Sequence, residues 1–143
     1  MTDLAPAAPG PVAPAVRIEH LALWTPDLER MRAFYERYFD AAVGEKYRSA
    51  NRPGFVSYFV SFPGGGSRLE LMLLPELAPA ASPPATGYAH LALSLGSRQA
   101  VESLTARMRA DGVRIVSGPR HTGDGYFEAV VEDPDGNAVE ITA

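Results

Sequence analysis

The sequence predicts an α+β fold built from two tandem modules, each with the order strand, helix, strand, strand, strand. The first observation is an internal repeat, because His20-Leu-Ala-Leu23 recurs as His90-Leu-Ala-Leu93, 70 positions later. A second pair, Leu69-Glu70-Leu71 and Val139-Glu140-Ile141, keeps the same separation. Each half therefore repeats both motifs in the same register, which is typical of a duplicated supersecondary unit.

One amphipathic helix is predicted in each half. Met31, Phe34 and Tyr38 follow an i, i+3, i+7 spacing, which places three apolar side chains on one helix face. The equivalent apolar positions in the second half are Val101, Leu104 and Met108. Asp27 and Ser97 precede the two stripes, and both residue types are favoured helix N-caps.

The remaining strands follow from turns and alternating apolar residues. Val43 and Val113 each begin a predicted strand after the helix. Further along, Pro63-Gly64-Gly65-Gly66 corresponds to Asp133-Pro134-Asp135-Gly136, and each turn joins two alternating runs as a β-hairpin. We expect the 70-residue offset to run through both halves without a gap.

Proline- and alanine-rich segments divide the chain. Residues 1–15 contain four prolines and read as a disordered tail, without the basic and apolar regions of a secretory signal. Residues 75–85 form a second such segment, which we interpret as a semi-extended linker. The expected organisation is one domain at 16–143, with a first module at 16–74 and a second at 86–143.

Composition excludes several classes of protein. The chain has 143 residues, 46% of them hydrophobic, which suits one compact domain. A net charge of -4 without a basic run argues against nucleic acid or an anionic membrane as the partner. No apolar run approaches the roughly 18 residues of a membrane span, and we expect a cytoplasmic protein. The absence of cysteine leaves only nitrogen and oxygen side chains as metal ligands.

Strand parity predicts where four polar residues point. His20 alternates with Leu21 and Leu23, so its side chain lies on the face opposite these leucines. The same alternation applies to Glu70, His90 and Glu140. Because the helices need an apolar sheet face to cover, the polar residues should line the opposite, concave side. A single histidine in a strand is more often a surface residue, but imidazole and carboxylate duplicated in register favour a divalent metal site.

Four segments together resemble the vicinal oxygen chelate superfamily, specifically its glyoxalase I-like proteins: Glu19-His-Leu-Ala-Leu-Trp, Ser67-Arg-Leu-Glu-Leu-Met, Gly87-Tyr-Ala-His-Leu-Ala-Leu-Ser and Val131-Glu-Asp-Pro-Asp-Gly-Asn-Ala-Val-Glu-Ile. The similarity spans about residues 16–143. It implies that two βαβββ modules form a cup-shaped mixed sheet with helices on the convex face. It also implies one divalent metal ion (Zn, Ni, Co, Mn or Fe) bound inside the cup by His20, Glu70, His90 and Glu140.

The resemblance further implies a metal-dependent lyase or isomerase that removes a proton next to a metal-bound oxygen of a small carbonyl substrate. Glu140 is the expected base, with Glu70 as the alternative. Trp24 and Leu74 occupy positions where bacterial glyoxalase I enzymes carry Arg and Asn for glutathione, so we expect a substrate other than the glutathione hemithioacetal. Two alternatives stay open: a resistance-type protein that sequesters a small molecule, and an Fe(II) dioxygenase.

Further residues are candidates for substrate contact. Trp24 at the mouth of the cup would favour an aromatic or apolar part of a substrate, and the alternative is an aromatic side chain that anchors the core. The glycine-flanked segment 120–126 reads as a loop that could close over the cup and supply Arg120 or His121 to an anionic substrate, and the alternative, favoured for His121, is a solvated hairpin. Tyr58 and Glu128 share the 70-residue offset, and both side chains are also expected to point into the cup. The full set of candidates is Trp24, Tyr58, Arg120, His121, Tyr126 and Glu128. A homodimer is expected, with the cup built either within one chain or across two.

Overall fold

The structure is a computed structural model, and it describes residues 15–143. The predicted tail at 1–15 lies outside the described residues, apart from Ala15. Over the described range, neither of the helices combines the length and the apolar run that crossing a bilayer requires. The linker predicted at 75–85 contains no helix or strand.

The first module contains one helix and five strands. In chain order its elements are β1 (His20–Trp24), α1 (Leu28–Phe39), β2 (Ala42–Val43), β3 (Tyr47–Arg48), β4 (Val56–Ser61) and β5 (Arg68–Leu73). The strands form one mixed sheet in the order β1-β5-β4-β2, with β3 also paired to β4. Strands β1 and β5 are parallel, and the other pairs are antiparallel.

The second module repeats this arrangement. Its elements are β6 (Leu91–Ser94), α2 (Arg98–Ala110), β7 (Ile115–His121), β8 (Phe127–Glu132) and β9 (Ala138–Thr142). They form a separate four-stranded sheet in the order β6-β9-β8-β7, with β6 parallel to β9. The predicted α+β fold of two strand-helix-strand-strand-strand modules is confirmed. Within one chain the hydrogen-bonded ladders of the two modules stay separate.

Strands β2 and β3 replace the single strand predicted to begin at Val43. Both pair with β4, at Val43 opposite Val60 and at Tyr47 opposite Ser57. Between these two pairs, the segment that joins β2 and β3 has three residues whereas β4 has two, and such an extra residue is a β-bulge. The bulge therefore divides one strand into two short pieces that follow the same edge of β4.

The predicted helices cover the predicted apolar faces. Met31 and Phe34 of α1 are buried, as are Val101 and Met108 of α2, while Tyr38 and Leu104 pack more peripherally. The sheet residues beneath them are also buried: Leu69, Leu71, Val139 and Ile141. Both N-caps are confirmed, because Asp27 and Ser97 accept hydrogen bonds from backbone amides in the first turn at 3.0 and 3.1 Å.

The expectation of a gapless repeat is wrong by one residue. The loop between β4 and β5 has six residues, 62–67, whereas the loop between β8 and β9 has five, 133–137. As a result, Glu70 lies opposite Phe59 but Glu140 lies opposite Val130, an offset of 71 in the preceding strand. A loop accommodates one extra residue at little cost in free energy. The extra residue nevertheless changes which residues of β4 and β8 occupy equivalent positions in the two sheets.

We predict that Gly118→Ala destabilises the protein by about 2 kcal/mol, the range expected for a side chain forced into a left-handed conformation. Gly118 has φ +82, and a Cβ there would lie 2.5 Å from the carbonyl oxygen of Glu128. Gly64→Ala is the matched control, because a Cβ at Gly64 would meet nothing within 4 Å. Urea unfolding measures both variants, and equal midpoints would contradict the prediction.

Candidate metal and substrate site

His20 and Glu70 lie on the same face of the first sheet. Parallel pairing places Ala22 opposite Glu70, so His20, two residues earlier, is a diagonal neighbour of that carboxylate. The His20 Nε2 atom is 3.8 Å from Glu70 Oε2. Leu21 and Leu23 point the other way, toward the helix and the core. We call the side of each sheet that carries His and Glu the His/Glu face.

A network of charged groups orients His20. The Glu19 carboxylate contacts the Nδ1 atom of His20, and Arg68 Nε donates to Glu19 at 3.1 Å. The hydrogen bond with His20, followed by that with Arg68, lowers the pKa of Glu19. The ring of Phe59 meets the imidazole edge-on, with centroids 5.3 Å apart. A carboxylate on Nδ1 leaves Nε2 directed toward Glu70, which is the arrangement that commonly orients a metal-binding histidine.

The second module contains the equivalent pair. His90 Nε2 is 3.4 Å from Glu140 Oε2, and Glu140 lies opposite Val130 of β8. The neighbouring Glu128 on β8 is buried beside Glu140. Burial, and then the hydrogen bond and charge of Glu140, raise the pKa of Glu128, while Arg120 at 3.8 Å acts in the opposite direction. Each pair thus has a second carboxylate and one arginine nearby, Glu19 and Arg68 in the first module and Glu128 and Arg120 in the second.

The donor atoms fit a divalent metal ion, but one chain does not assemble the predicted four ligands. Each pair offers an imidazole nitrogen and a carboxylate oxygen, the types that first-row divalent ions accept. The two pairs lie on different sheets. Among residues 15–143, no group of three or more His, Asp and Glu side chains is close enough together to hold an ion. Each pair thus contributes two of the four predicted ligands.

The predicted placement of Tyr58 inside the cup is wrong. Tyr58 lies opposite Leu71 and is buried on the helix side of the sheet. Its hydroxyl donates to Glu29 of α1 at 2.8 Å and accepts from Arg32 at 3.3 Å. The cause is the one-residue difference between the hairpin loops, because Tyr58 and Glu128 share the 70-residue offset but lie on opposite faces.

The segment 120–126 is only partly the predicted loop. Arg120 and His121 belong to β7, and the turn that follows closes with a hydrogen bond from the Thr122 amide to the Tyr126 carbonyl. Arg120 lies opposite Glu128 on the His/Glu face. His121 points to the helix side, where it packs on Phe127 and contacts Arg98 of α2. The expected position of His121 over the cup is therefore wrong, while Tyr126 is exposed at the turn.

Trp24 lies on the His/Glu face at the end of β1, as predicted. Next to it an open cavity of about 820 Å³ lies between the modules. The cavity is lined by Trp24, Arg30 of α1, the linker residues Glu76–Ala80, and Asp135 and Asn137 of the β8–β9 turn. Arg30 and Asp135 form an ion pair of 2.7 Å across this junction. The cavity does not contain the His/Glu pairs, so the two features are separate parts of the molecule.

Sequence reasoning missed a cluster around Trp24 formed by Tyr47, Arg52, Phe55 and Ser57. Arg52 lies 5.7 Å from the ring centroid of Trp24, and Phe55 meets the indole edge-on at 6.1 Å. Tyr47 and Phe55 are 6.3 Å apart. These residues come from two strands and the segment between them, and only the β3–β4 register brings them together. No spacing in the sequence signals that register, because it depends on the bulge between β2 and β3.

Two sheets of the same connectivity, each with a His/Glu pair in the same position, define a class of duplicated α+β proteins. The chain belongs to the Glyoxalase/Bleomycin resistance protein/Dioxygenase superfamily, whose family model matches residues 17–141. It is 34% identical over 129 residues to the uncharacterized protein PA2024 of Pseudomonas aeruginosa, covering 87% of this chain and 86% of that protein. The uncharacterized protein YqjT of Bacillus subtilis is 27% identical over 133 residues, covering 88% and 98%.

Solved structures show the same fold. The trypanothione-dependent glyoxalase I of Leishmania major superimposes with a TM-score of 0.72 at 24% identity, covering 90% of this chain and 86% of that one. A glyoxalase/bleomycin resistance protein/dioxygenase domain from Frankia superimposes with a TM-score of 0.77 at 18% identity, covering 90% and 98%. At these identities the likeness concerns the fold, and the chemistry must be argued from the residues of this chain.

Proposed function

We propose that this protein is a metal-dependent lyase or isomerase of the glyoxalase type, acting on a small carbonyl compound other than the glutathione hemithioacetal. The observation that carries the proposal is the repeated His/Glu pair, with Nε2–Oε2 separations of 3.8 and 3.4 Å on equivalent faces of the two sheets. The proposed ligands of one divalent ion (Zn, Ni, Co, Mn or Fe) are His20, Glu70, His90 and Glu140.

The proposed site needs two copies of the chain. Strands β1 and β6 each lie at the edge of their sheet with one neighbouring strand. Within the chain, the modules meet instead through groups on the helices, where Arg37 Nη2 bonds Asp111 at 2.9 Å and Tyr38 donates to the same carboxylate at 2.9 Å. These contacts do not use the side chains of His20, Glu70, His90 or Glu140. A two-fold homodimer would place the first module of one copy beside the second module of the other.

The proposed chemistry is a proton transfer. A bound divalent ion would polarise two substrate oxygens and stabilise the negative charge that develops on them. Glu140 then accepts the proton from the carbon next to the carbonyl, and returning that proton to the neighbouring carbon completes an isomerisation. Glu70 is the alternative base. The apolar side chains of both sheets keep these carboxylates partly shielded from water, with exposed side-chain fractions of 16% for Glu70 and 17% for Glu140.

Metal content tests the proposal. Elemental mass spectrometry of purified protein should find about one first-row ion per chain, and His90→Ala and Glu140→Gln should each lose most of it. His121→Ala is the matched control, because it removes the third histidine of the chain from the opposite face and should retain the ion. An α-ketoaldehyde and hydroxy-carbonyl substrate screen follows with the ion found. No ion after reconstitution with Zn, Ni, Co, Mn or Fe would contradict the proposal.

A second candidate function is the sequestration of a small molecule. The open cavity beside Trp24, which lies apart from the His/Glu pairs, favours it. The two functions differ in their response to a chelator. Removing the metal should abolish turnover by a lyase, whereas the affinity of a sequestering protein that uses this cavity should stay unchanged.

A further inference from the structure

A row of side chains crosses the first sheet on its His/Glu face, beyond the His/Glu pair. Trp24 of β1 lies opposite Met72 of β5, Met72 lies opposite Ser57 of β4, and Ser57 lies opposite Tyr47 of β3. Residues directly opposite in paired strands share a face. Met72 follows Glu70 by two residues, a distance of roughly 7 Å along the strand. The row therefore lies roughly 7 Å from Glu70, a proposed metal ligand.

The aromatic members of this row are exposed although they are large and apolar. Trp24 keeps 43% of its surface accessible and Tyr47 keeps 56%. Phe55 stands between them, with ring centroids 6.1 Å from Trp24 and 6.3 Å from Tyr47 and edge-to-face geometry in both pairs. Aromatic rings fixed in this way offer a preformed surface for another ring at low entropic cost.

A cationic group lies beside the aromatic surface. The guanidinium of Arg52 is 5.7 Å from the ring centroids of both Trp24 and Phe55. In the part of the chain that the structure describes, Arg52 forms no salt bridge. A guanidinium has five donors, and one that lies over aromatic rings without a carboxylate partner retains its capacity to bind an anion.

The row also contains a polar atom without a partner. Ser57 is 1% exposed, and its Oγ atom forms no hydrogen bond with any residue between 15 and 143. Buried hydroxyl groups in folded proteins almost always have a partner, so an unsatisfied one in a binding surface indicates a ligand that supplies it. Ser57 lies two residues from Phe59, the residue opposite Glu70, and therefore faces the same space as the proposed metal ligand.

From these observations we infer that the row of Trp24, Met72, Ser57 and Tyr47, together with Phe55 and Arg52, binds an aromatic carboxylate. The ring packs on Trp24 and Tyr47, the carboxylate pairs with Arg52, and a rotamer change in the neighbouring side chains of the row opens the buried hydroxyl of Ser57 to a polar substituent. The inference rests on the proposed function, because it assigns this aryl anion as the substrate class of the same site. The carbonyl end of such a molecule would extend toward Glu70.

Fluorescence of Trp24 provides a direct assay, because the chain contains one tryptophan. Phenylacetate should quench it and bind with an affinity that calorimetry also detects, in metal-free and in metal-loaded protein. Cyclohexylacetate, which lacks the aromatic ring, and phenylacetamide, which lacks the charge, should each bind about fivefold more weakly or worse. Mandelate adds a hydroxyl group next to the ring and should bind more tightly than phenylacetate.

Variants assign the contacts. Arg52→Gln should weaken phenylacetate binding about tenfold while leaving phenylacetamide unaffected, and Tyr47→Leu should weaken both. Ser57→Ala should remove the advantage of mandelate over phenylacetate without changing phenylacetate itself. Arg109→Gln and Tyr88→Leu, exposed positions away from the row, are the matched controls and should bind like the wild type.

The outcomes separate this inference from the proposed function. Equal binding of phenylacetate and cyclohexylacetate, or no effect of Arg52→Gln, would overturn the inference while leaving the metal content result intact. Selective binding in a protein that never retains metal would support the row and overturn the lyase. Trp24 emission that changes on dilution of the protein but not with any probe would mean that a second copy covers the row, and would also overturn the inference.

Discussion

Mixing His20→Ala with His90→Ala should restore about a quarter of the metal sites that each variant alone has lost. If the first module of one copy faces the second module of another, a mixed dimer has one site with both lesions and one site with none. Half of the dimers are mixed after random exchange, so about one site in four is intact. The measurement is metal content and turnover after unfolding and refolding an equimolar mixture.

The control for this experiment uses two lesions in the same module. Mixing His20→Ala with Glu70→Gln should restore nothing, because every site in the mixed dimer still carries one lesion. The structure motivates the test, since the His20/Glu70 and His90/Glu140 pairs lie on separate sheets within a chain. Equal behaviour of the two mixtures would contradict a site shared between copies.

Leu71→Ala should lower the free energy of unfolding by about 3 kcal/mol, the middle of the range for truncating a fully buried leucine. Leu71 is 0% exposed in the middle of β5, opposite Leu23 on one side and Tyr58 on the other. Little of the resulting cavity can collapse, because strands on both sides fix its walls. Denaturant unfolding at a fixed protein concentration measures the change, since the stability of a dimer depends on concentration.

Val116→Ala provides the control for the core truncation. Val116 lies on β7 with half of its surface exposed, and its shortening should cost less than about 0.5 kcal/mol. A loss from Leu71→Ala no larger than that from Val116→Ala would mean that β5 is not the centre of the first module's core. The Leu71→Ala protein also tests the site indirectly, because Glu70 is its neighbour on the same strand.

Much of the fold was predictable because local patterns and long-range pairing agree. The repeat at 70 residues, the apolar stripes of the helices and the caps at Asp27 and Ser97 all point to the same modules, and the structure confirms them. Parity was sufficient to place His20 and Glu70 on one face, since β1 and β5 are regular strands in parallel register. Alternation fixes the face of a side chain only while the strand remains regular.

Other features depended on information that alternation does not contain. The 62–67 loop has one extra residue, so side chains of β4 and β8 that are 70 residues apart lie on opposite faces of their sheets. Tyr58 was therefore predicted on the wrong face. His121 was assigned to a loop because the glycines that follow it resemble a longer turn, whereas β7 extends through it. The separation of the two sheets is a property of how modules pack, which no single segment specifies.

The unequal hairpin loops have a consequence for how a duplicated protein diversifies. Because the loops differ by one residue, Ser57 of β4 occupies the place that Glu128 holds on β8, opposite Met72 and Thr142. The first half thus carries aromatic rings and Arg52 around Trp24 on its His/Glu face, whereas the second half carries Glu128 and Arg120 beside Glu140. A difference of one residue in the length of a turn thus places different side chains at equivalent positions of the two sheets. Under the proposed function, the metal ligands are symmetric between the halves whereas the substrate is recognised by the first half alone.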